Sequence, residues 1–263
     1  MRDPALEVPC RICGGALEPA FESTVLGTVP VTYHVCQRCR SLILPHPTWL
    51  DRAYGPLPGP DPDFGALTRT LFVLGTLRRM RAVGLVPRQC KALDYGAGKG
   101  VLVRHLLDRG FDAWGYEPIA TPLYAEDRIV QERPGGGFDL ITCIEVVEHL
   151  LDPIDTLQWI GAALTPRGVL VLTTELFDER RHDRRWHYLV PAHGQHVTLY
   201  SRDGLRRAAA QAGLVWGHSL RFFGIDFVHL ITRREAGIPS WRWWGLRAFQ
   251  RLGRWRERWD AFA

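Results

Sequence analysis

The chain has 263 residues, 46% of them hydrophobic and 23% charged, with a formal net charge of +5. This length suits one α/β domain with a small appendage, and this composition excludes a disordered chain. After Trp241, six arginines face only Glu257 and Asp260, so the rest of the chain is near neutral and a broad nucleic-acid-binding face is not expected.

Taken in order, MRDPALEVPC has no apolar leader segment, and no run of about 18 apolar residues follows anywhere. The expected location is the cytoplasm. The first motif is CRIC, with Cys10 and Cys13, answered by CQRC, with Cys36 and Cys39. Paired C-x-x-C units without a leader point to zinc rather than disulfides, because each knuckle aims two thiolates at one ion. Gly14 suits the left-handed turn after the first knuckle. Four thiolates leave no open coordination position, so this zinc reads as structural. Residues 1–44 are expected to form a zinc ribbon, with strands near 21–25 and 29–35.

Residues 45–65 are dense in proline and glycine and read as a linker. A helix is expected over 64–83, with Phe64, Leu67, Leu71 and Leu74 along one face; linker and helix together make up residues 45–87. From residue 88 strands and helices alternate. KALDY, DAWGY, FDLITC and GVLVLTT read as strands, with helices near 99–109 and 154–164. Ser201 caps a helix closed by Gly213, and two strands follow near 215–222 and 226–232. Such alternation predicts a parallel sheet with helices on both faces, over residues 88–235. Cys90 and Cys143, beside strands, read as buried thiols.

In LDYGAGKG, Asp94 ends a strand and Gly96, Gly98 and Gly100 form the turn into a helix. Glycines there let a ligand approach the backbone at a helix N-terminus. The third glycine comes one residue early for a dinucleotide fingerprint, and no Walker-type motif is present. The form D-x-G-x-G-x-G resembles the first motif of class I S-adenosylmethionine-dependent methyltransferases. Glu117, 17 residues after Gly100 in WGYEP, stands where that family keeps an acid for the ribose hydroxyls. FDLITCIEVVEHLLDP resembles the fourth-strand motif of the ubiquinone-biosynthesis O-methyltransferase type, and ALTPRGVLVLTTE resembles the segment that follows it there. The resemblance covers about residues 88–232. It implies an α/β, Rossmann-like, doubly wound and mostly parallel seven-stranded sheet that binds S-adenosylmethionine. The cofactor residues it implies are Asp94, Tyr95, Gly96, Ala97, Gly98, Gly100, Glu117, Pro118, Cys143 and Ile144. CRIC and CQRC with the segment after them resemble the N-terminal module of some bacterial sugar and natural-product methyltransferases. Only 22 residues separate Glu117 from Asp139, so the third strand is expected to be short. No adenine-binding acid is assigned, although Glu126 and Asp127 lie nearby.

In CIEVVEHL, read as the start of a helix, Glu145, Glu148 and His149 fall on one side. WHYLVPAHGQH supplies His187, His193 and His196 from farther along. Three readings stay open. The acids favour a helix N-terminus; or His149 or His196 is a general base; or Glu145, Glu148, His149 and His196 hold a divalent cation, as a comparable E-x-x-E-H unit does in small-RNA 2'-O-methyltransferases.

Over residues 236–263, Trp241, Trp244, Ala248, Leu252, Trp255 and Trp259 recur at helical steps, with arginines mostly on the other face. Packing on the domain or in a homodimer is the expectation there, and peripheral contact with the inner membrane face is the alternative. The whole reads as a methyltransferase for a small-molecule acceptor, a hydroxyl on a sugar, lipid-linked or polyketide-like molecule. RNA methylation and a non-catalytic binding module are the alternatives.

Overall fold

The computed structural model describes residues 8–55, 64–222, 225–239, 242–246 and 248. Strands β1 (Leu17–Val25) and β2 (Val29–Cys36) form an antiparallel hairpin, and β3 (Leu42–Ile43) pairs with the end of β2. A single helical turn, α1 (Leu50–Ala53), follows. Helix α2 (Phe64–Ala82) then buries Thr70, Val73, Leu77 and Met80, with Leu74 at the margin. Leu71, expected on the buried face, is 56% exposed. Apolar residues lie on more than one side of α2, so spacing gave a helix, and its rotation was left to the surface it meets.

The larger domain starts with β4 (Lys91–Tyr95), α3 (Val101–Leu107), β5 (Asp112–Tyr116), β6 (Ile129–Val130) and β7 (Phe138–Ile144). Helix α4 (Pro153–Ala163) leads into β8 (Leu164–Thr173); proline suits its first turn, and Asp152 Oδ1 accepts the Asp155 N–H at 3.0 Å. Next come β9 (Thr198–Leu199) and α5 (Arg202–Gln211), whose Ser201 cap accepts the Gly204 N–H at 2.9 Å. The antiparallel pair β10 (Leu214–Phe222) and β11 (Ile225–Arg233) ends the domain. The seven-stranded sheet runs β10-β11-β8-β7-β4-β5-β6. Strands β4 to β8 are parallel, and β11 joins β8 antiparallel. The fold is therefore the expected α/β, mostly parallel seven-stranded sheet. Strand β6 has two residues, as the short gap before Asp139 required. Separate apolar clusters cover its two faces, one including Leu157, Ile160 and Leu205, the other Val73, Leu77, Met80 and Val103.

The order of strands reverses at β4, whose neighbours are β5 on one side and β7 on the other, and because these strands are parallel the loops after β4, β5, β7 and β8 open on one carboxyl edge. In open α/β sheets that edge is where ligands bind.

The small sheet is not closed by the N-terminal residues alone. Its order is β1-β2-β3-β9, and β9 comes from the far side of the larger domain. Arg11, inside the first cysteine knuckle, donates to Leu44 O at 2.6 Å and to Thr198 Oγ1 at 3.1 Å. Ser41 Oγ accepts the Ser201 N–H at 3.0 Å, and Ser201 Oγ donates to Cys39 O.

Residues 242–246 are helical, with Leu246 buried and Trp243 half-buried against the domain. Trp244, expected on the packing stripe, is 67% exposed. Trp241, Leu252, Trp255 and Trp259 lie outside the described residues, so most of the amphipathic helix does as well. Among the described residues no helix is long and apolar enough to cross a membrane.

Arg11→Ala leaves buried carbonyls without their donor. It is expected to cost about 1–3 kcal/mol, measured as a lower urea midpoint, and an unchanged midpoint would show that the two sheets are not coupled through Arg11.

Candidate active site

The glycine turn follows β4. Asp94 is 4% exposed, and its Oδ1 accepts the Thr142 hydroxyl from neighbouring β7 at 2.7 Å. Burial raises its pKa to about 7, with the Thr142 bond opposing the rise. Gly96 and Gly100 have φ of 77° and 83°, and each has no space for a side chain. A Cβ on Gly96 would come 2.5 Å from Val146 Cγ2, and one on Gly100 would come 2.1 Å from the Tyr124 carbonyl. Their sequence spacing is thus explained by close packing of the turn against the loops after β5 and β7.

Glu117 ends β5 and turns back to this loop. Its Oε2 accepts the Gly98 N–H at 2.8 Å, and its Oε1 accepts the N–H groups of Ile119 and Ala120, both at 2.9 Å. These bonds fix the carboxylate at the carboxyl edge and leave it part of its acceptor capacity. Ala97 is buried and Pro118 exposed beside it. The Tyr95 ring packs on Tyr116 and Trp159 at centroid distances of 4.9 and 5.6 Å. Cys143 is fully buried in the core, as is Cys90 nearly, and Ile144 is half-buried.

CIEVVEHL is not the start of an α-helix. Glu145 has φ of 54°, a left-handed conformation costly for a residue with a side chain. Val147–His149 forms one 3-10 turn, and the helix begins only at Pro153, with Asp152 as its cap. The expectation that the acids serve a helix N-terminus is corrected by that geometry. Thr173, at the end of β8, holds Glu145 in place. Its hydroxyl accepts the Glu145 N–H and donates to Glu145 Oε1, both at 2.9 Å.

The chain then brings distant groups together. Ligand atoms of Glu148, His149 and His196 lie within 4.8 Å of one another. Glu145 stands outside this triangle, joined to it through Tyr188. The Tyr188 hydroxyl lies 2.5 Å from Glu148 Oε1 and 3.0 Å from Glu145 Oε2. Its one proton cannot serve both carboxylates. Burial first, and their mutual repulsion second, push the Glu145 carboxyl up; burial pushes Glu148 up as well. Glu148 is fully buried, and its Oε2 has no hydrogen-bond partner. Burial holds His149 down to about 3 and lowers His196, so both rings are neutral near pH 7. His196 Nδ1–H donates to the Tyr188 carbonyl at 2.6 Å, which leaves Nε2 with a free lone pair. A buried carboxylate with one unpartnered oxygen, beside two neutral imidazoles, is a donor set that suits a divalent cation. His187 and His193 are exposed; His187 Nε2 lies 3.0 Å from buried Glu175 instead.

Tyr54 and Tyr188 are the functional candidates that sequence reasoning missed. Tyr54 follows α1, in the stretch read as linker, and its hydroxyl lies 2.9 Å from His149 Nδ1. Burial raises its pKa to about 12, and the carboxylates of Glu148 and Glu117 add to the rise. Tyr54 therefore stays a neutral phenol between the two acidic groups. Tyr188 stands within WHYLVPAHGQH, where only the histidines drew notice.

The four thiolate positions also converge. The sulfurs of Cys10, Cys13, Cys36 and Cys39 lie within 4.8 Å of one another, an arrangement that could hold zinc. Gly15 is pressed between the knuckles, since a Cβ there would come 2.9 Å from Cys36 Sγ.

The model of a family described as a methyltransferase domain matches residues 67–217. Among curated relatives, the ubiquinone biosynthesis O-methyltransferase of Psychrobacter cryohalolentis is 32% identical over 103 residues, which cover 32% of this chain and 40% of that protein. Its counterpart from Pseudomonas aeruginosa is 28% identical over 102 residues, covering 32% and 44%. The chain thus spans less than half the length of these curated relatives. Among solved structures, the mitomycin 7-O-methyltransferase MmcR is similar at 18% identity and a TM-score of 0.48, over 66% of this chain and 58% of that one.

Folded Asp94 keeps its proton to about pH 7, whereas an unfolded aspartate loses it near 3.8. Stability is therefore lost as pH rises between these values. In Asp94→Asn that loss is expected to vanish, so the variant's urea midpoint gains on the wild type from pH 4 to 7 and then stays level. Parallel curves would show that Asp94 ionises normally.

Proposed function

The chain belongs to the methyltransferase domain family, and from that premise we propose that it moves the methyl group of S-adenosylmethionine to a hydroxyl oxygen of a small acceptor. The observation that carries this reading is that the glycine turn with Glu117 and the cluster of Glu148, His149 and His196 open on the same sheet edge, with Val146, which packs on Gly96, two positions before Glu148. One group suits a nucleoside methyl donor and the other an acceptor oxygen. Oxygen as the accepting atom is supported by the curated relatives, which are named as O-methyltransferases. A sugar, lipid-linked or polyketide-like hydroxyl is the acceptor class.

When bound, S-adenosylmethionine supplies a methyl group already activated by its sulfonium. The protein's task is then mainly to place the acceptor oxygen in line with it. Gly96, Gly98 and Gly100, beside Asp94, Tyr95 and Ala97, would present backbone to its methionine part. Glu117, next to Pro118, would accept hydrogen bonds from its ribose hydroxyls, and Cys143 and Ile144 would contribute backbone at the end of β7.

Glu148, His149 and His196 fit a divalent cation by the unpartnered Glu148 Oε2 and the bare Nε2 of His196. Such an ion supplies Lewis-acid polarisation of the acceptor hydroxyl. Glu145, held by Thr173 and Tyr188, stands behind the cluster as a carboxyl that burial pushes up to about 8. The reading of His149 as a general base is the less favoured one, because burial leaves its imidazole a weak proton acceptor. Cys10, Cys13, Cys36 and Cys39 would hold a structural zinc ion.

Isothermal titration is expected to show binding of S-adenosylmethionine by both the wild type and Glu148→Ala, within about threefold of each other. Methyl transfer is expected to fall at least about 100-fold in the variant and after EDTA treatment, on the scale of a lost electrostatic catalyst. No affinity for the donor in the wild type would end the enzyme reading; unchanged turnover in both treatments would end the cation reading alone.

Metal analysis of the purified protein should find about one tightly held zinc per chain, absent from Cys10→Ser together with a lower melting temperature. Protein that holds no zinc would remove the ribbon reading.

A further inference from the structure

From the N-terminal part of the chain, the Tyr54 side chain reaches the reaction centre. The turn α1 is pinned at both ends to the loop that carries His196. Trp49 Nε1 donates to Gly194 O at 2.7 Å, and Gln195 Nε2 donates to Ala53 O at 2.7 Å. Tyr54 comes next, its N–H bonded to Leu50 O at 2.9 Å. The same two contacts therefore set the position of Tyr54 relative to His196, one residue beyond Gln195. His149, on the other side, meets the Tyr54 hydroxyl at 2.9 Å through Nδ1 and the His196 ring at a centroid distance of 4.9 Å.

A neutral imidazole carries its proton on one nitrogen, and the partner of the first nitrogen decides what the second can do. With Nδ1 against Tyr54, the ring has only Nε2 left to offer the cluster. The opposite tautomer would place an N–H among Glu148 and His196. That N–H would be taken up by the unpartnered Glu148 Oε2 or the bare Nε2 of His196, and the ring would then have no lone pair to offer a cation. The free lone pair on His196 Nε2 follows the same pattern, fixed by Nδ1–H donation to the Tyr188 carbonyl. Two tyrosines from distant parts of the chain thus do one job for two histidines.

We propose that Tyr54 is a positioning residue of the reaction centre, accepting the Nδ1–H of His149 so that Nε2 keeps its lone pair toward Glu148 and His196. The cysteine-bearing half of the chain is, by this assignment, a component of the site as well as a neighbour of it. The proposal rests on the reading of Glu148, His149 and His196 as a cation site.

The test is Tyr54→Phe, which keeps the ring and removes only the oxygen; the phenol is 36% exposed, so the full-length variant should fold. In histidine-labelled protein with Mg2+ added, nitrogen NMR at pH 7, assigned with His149→Gln, should show wild-type His149 protonated on Nδ1. In Tyr54→Phe the signal should move to a mixture of both tautomers. In parallel, the affinity for Mn2+ should fall about 10- to 100-fold, the usual effect of removing a partner behind a ligand. Melting temperature and donor affinity should stay those of the wild type. The turnover number, rather than the KM for acceptor, should carry the loss in activity. An unchanged His149 tautomer in Tyr54→Phe overturns the proposal. Failure of the wild type to bind Mn2+ removes the cation reading and the proposal with it, whereas Mn2+ binding that Tyr54→Phe leaves unchanged overturns the proposal alone.

Discussion

The stretch from Gly194 to Ser201 is hydrogen-bonded on both of its edges, and the arrangement of the site depends on it. On one edge β9 completes the small sheet beside β3, and the Leu44 N–H bonds to Val197 O at 3.0 Å. On the other edge the Val197 N–H bonds to Glu148 O at 2.9 Å, and Thr198 Oγ1 donates to Leu150 O at 3.0 Å. Tyr200 adds a bond from its hydroxyl to Val147 O at 3.1 Å. The backbone of the E-x-x-E-H segment therefore gains from β9 the partners that a helix would have supplied internally. That satisfies the rule that buried backbone groups must be paired, and it lets Glu145 adopt its left-handed conformation.

Electrostatics at the site follow from this packing. Two carboxyls and two imidazoles are withdrawn from water, where each charged form is disfavoured by burial. The fold offsets this with hydroxyls, Thr173 and Tyr188 on the carboxyls and Tyr54 on His149, and with the positive charge of Arg69, which favours the ionised forms of Glu145 and Glu148. Glu117, also buried, is treated differently, held by three backbone N–H groups. The two ends of the site thus differ in kind, one a carboxylate fixed by backbone and the other a cluster of side chains joined through phenols.

Much of this was legible in the order of residues. The strand and helix alternation gave the mostly parallel sheet, and the short gap between Glu117 and Asp139 foretold the two-residue β6. Local signals such as the Ser201 cap, the glycine turn and the two C-x-x-C knuckles act over a few residues, so sequence carries them well. The rotation of α2 was misread at Leu71, because a helix with apolar residues on several sides takes its orientation from its neighbours. CIEVVEHL was misread as a helix for a similar reason. Its residues permit one, but Thr173 from β8 and Val197 beside β9 bind its backbone first.

Sequence by itself determined which chemical groups are present and which lie at strand ends: the four cysteines, Asp94 with its glycines, Glu117, and the glutamates and histidines that follow β7 and β8. Only the tertiary structure decided that Glu148, His149 and His196 converge while Glu145 stands behind them. It alone placed Tyr54 and Tyr188 among them, and made β9 a strand of the cysteine-bearing sheet. The physical reason is range. Caps, turns and knuckles are fixed by bonds between near neighbours, whereas a buried polar cluster exists only where packing has brought remote segments within a hydrogen bond's reach.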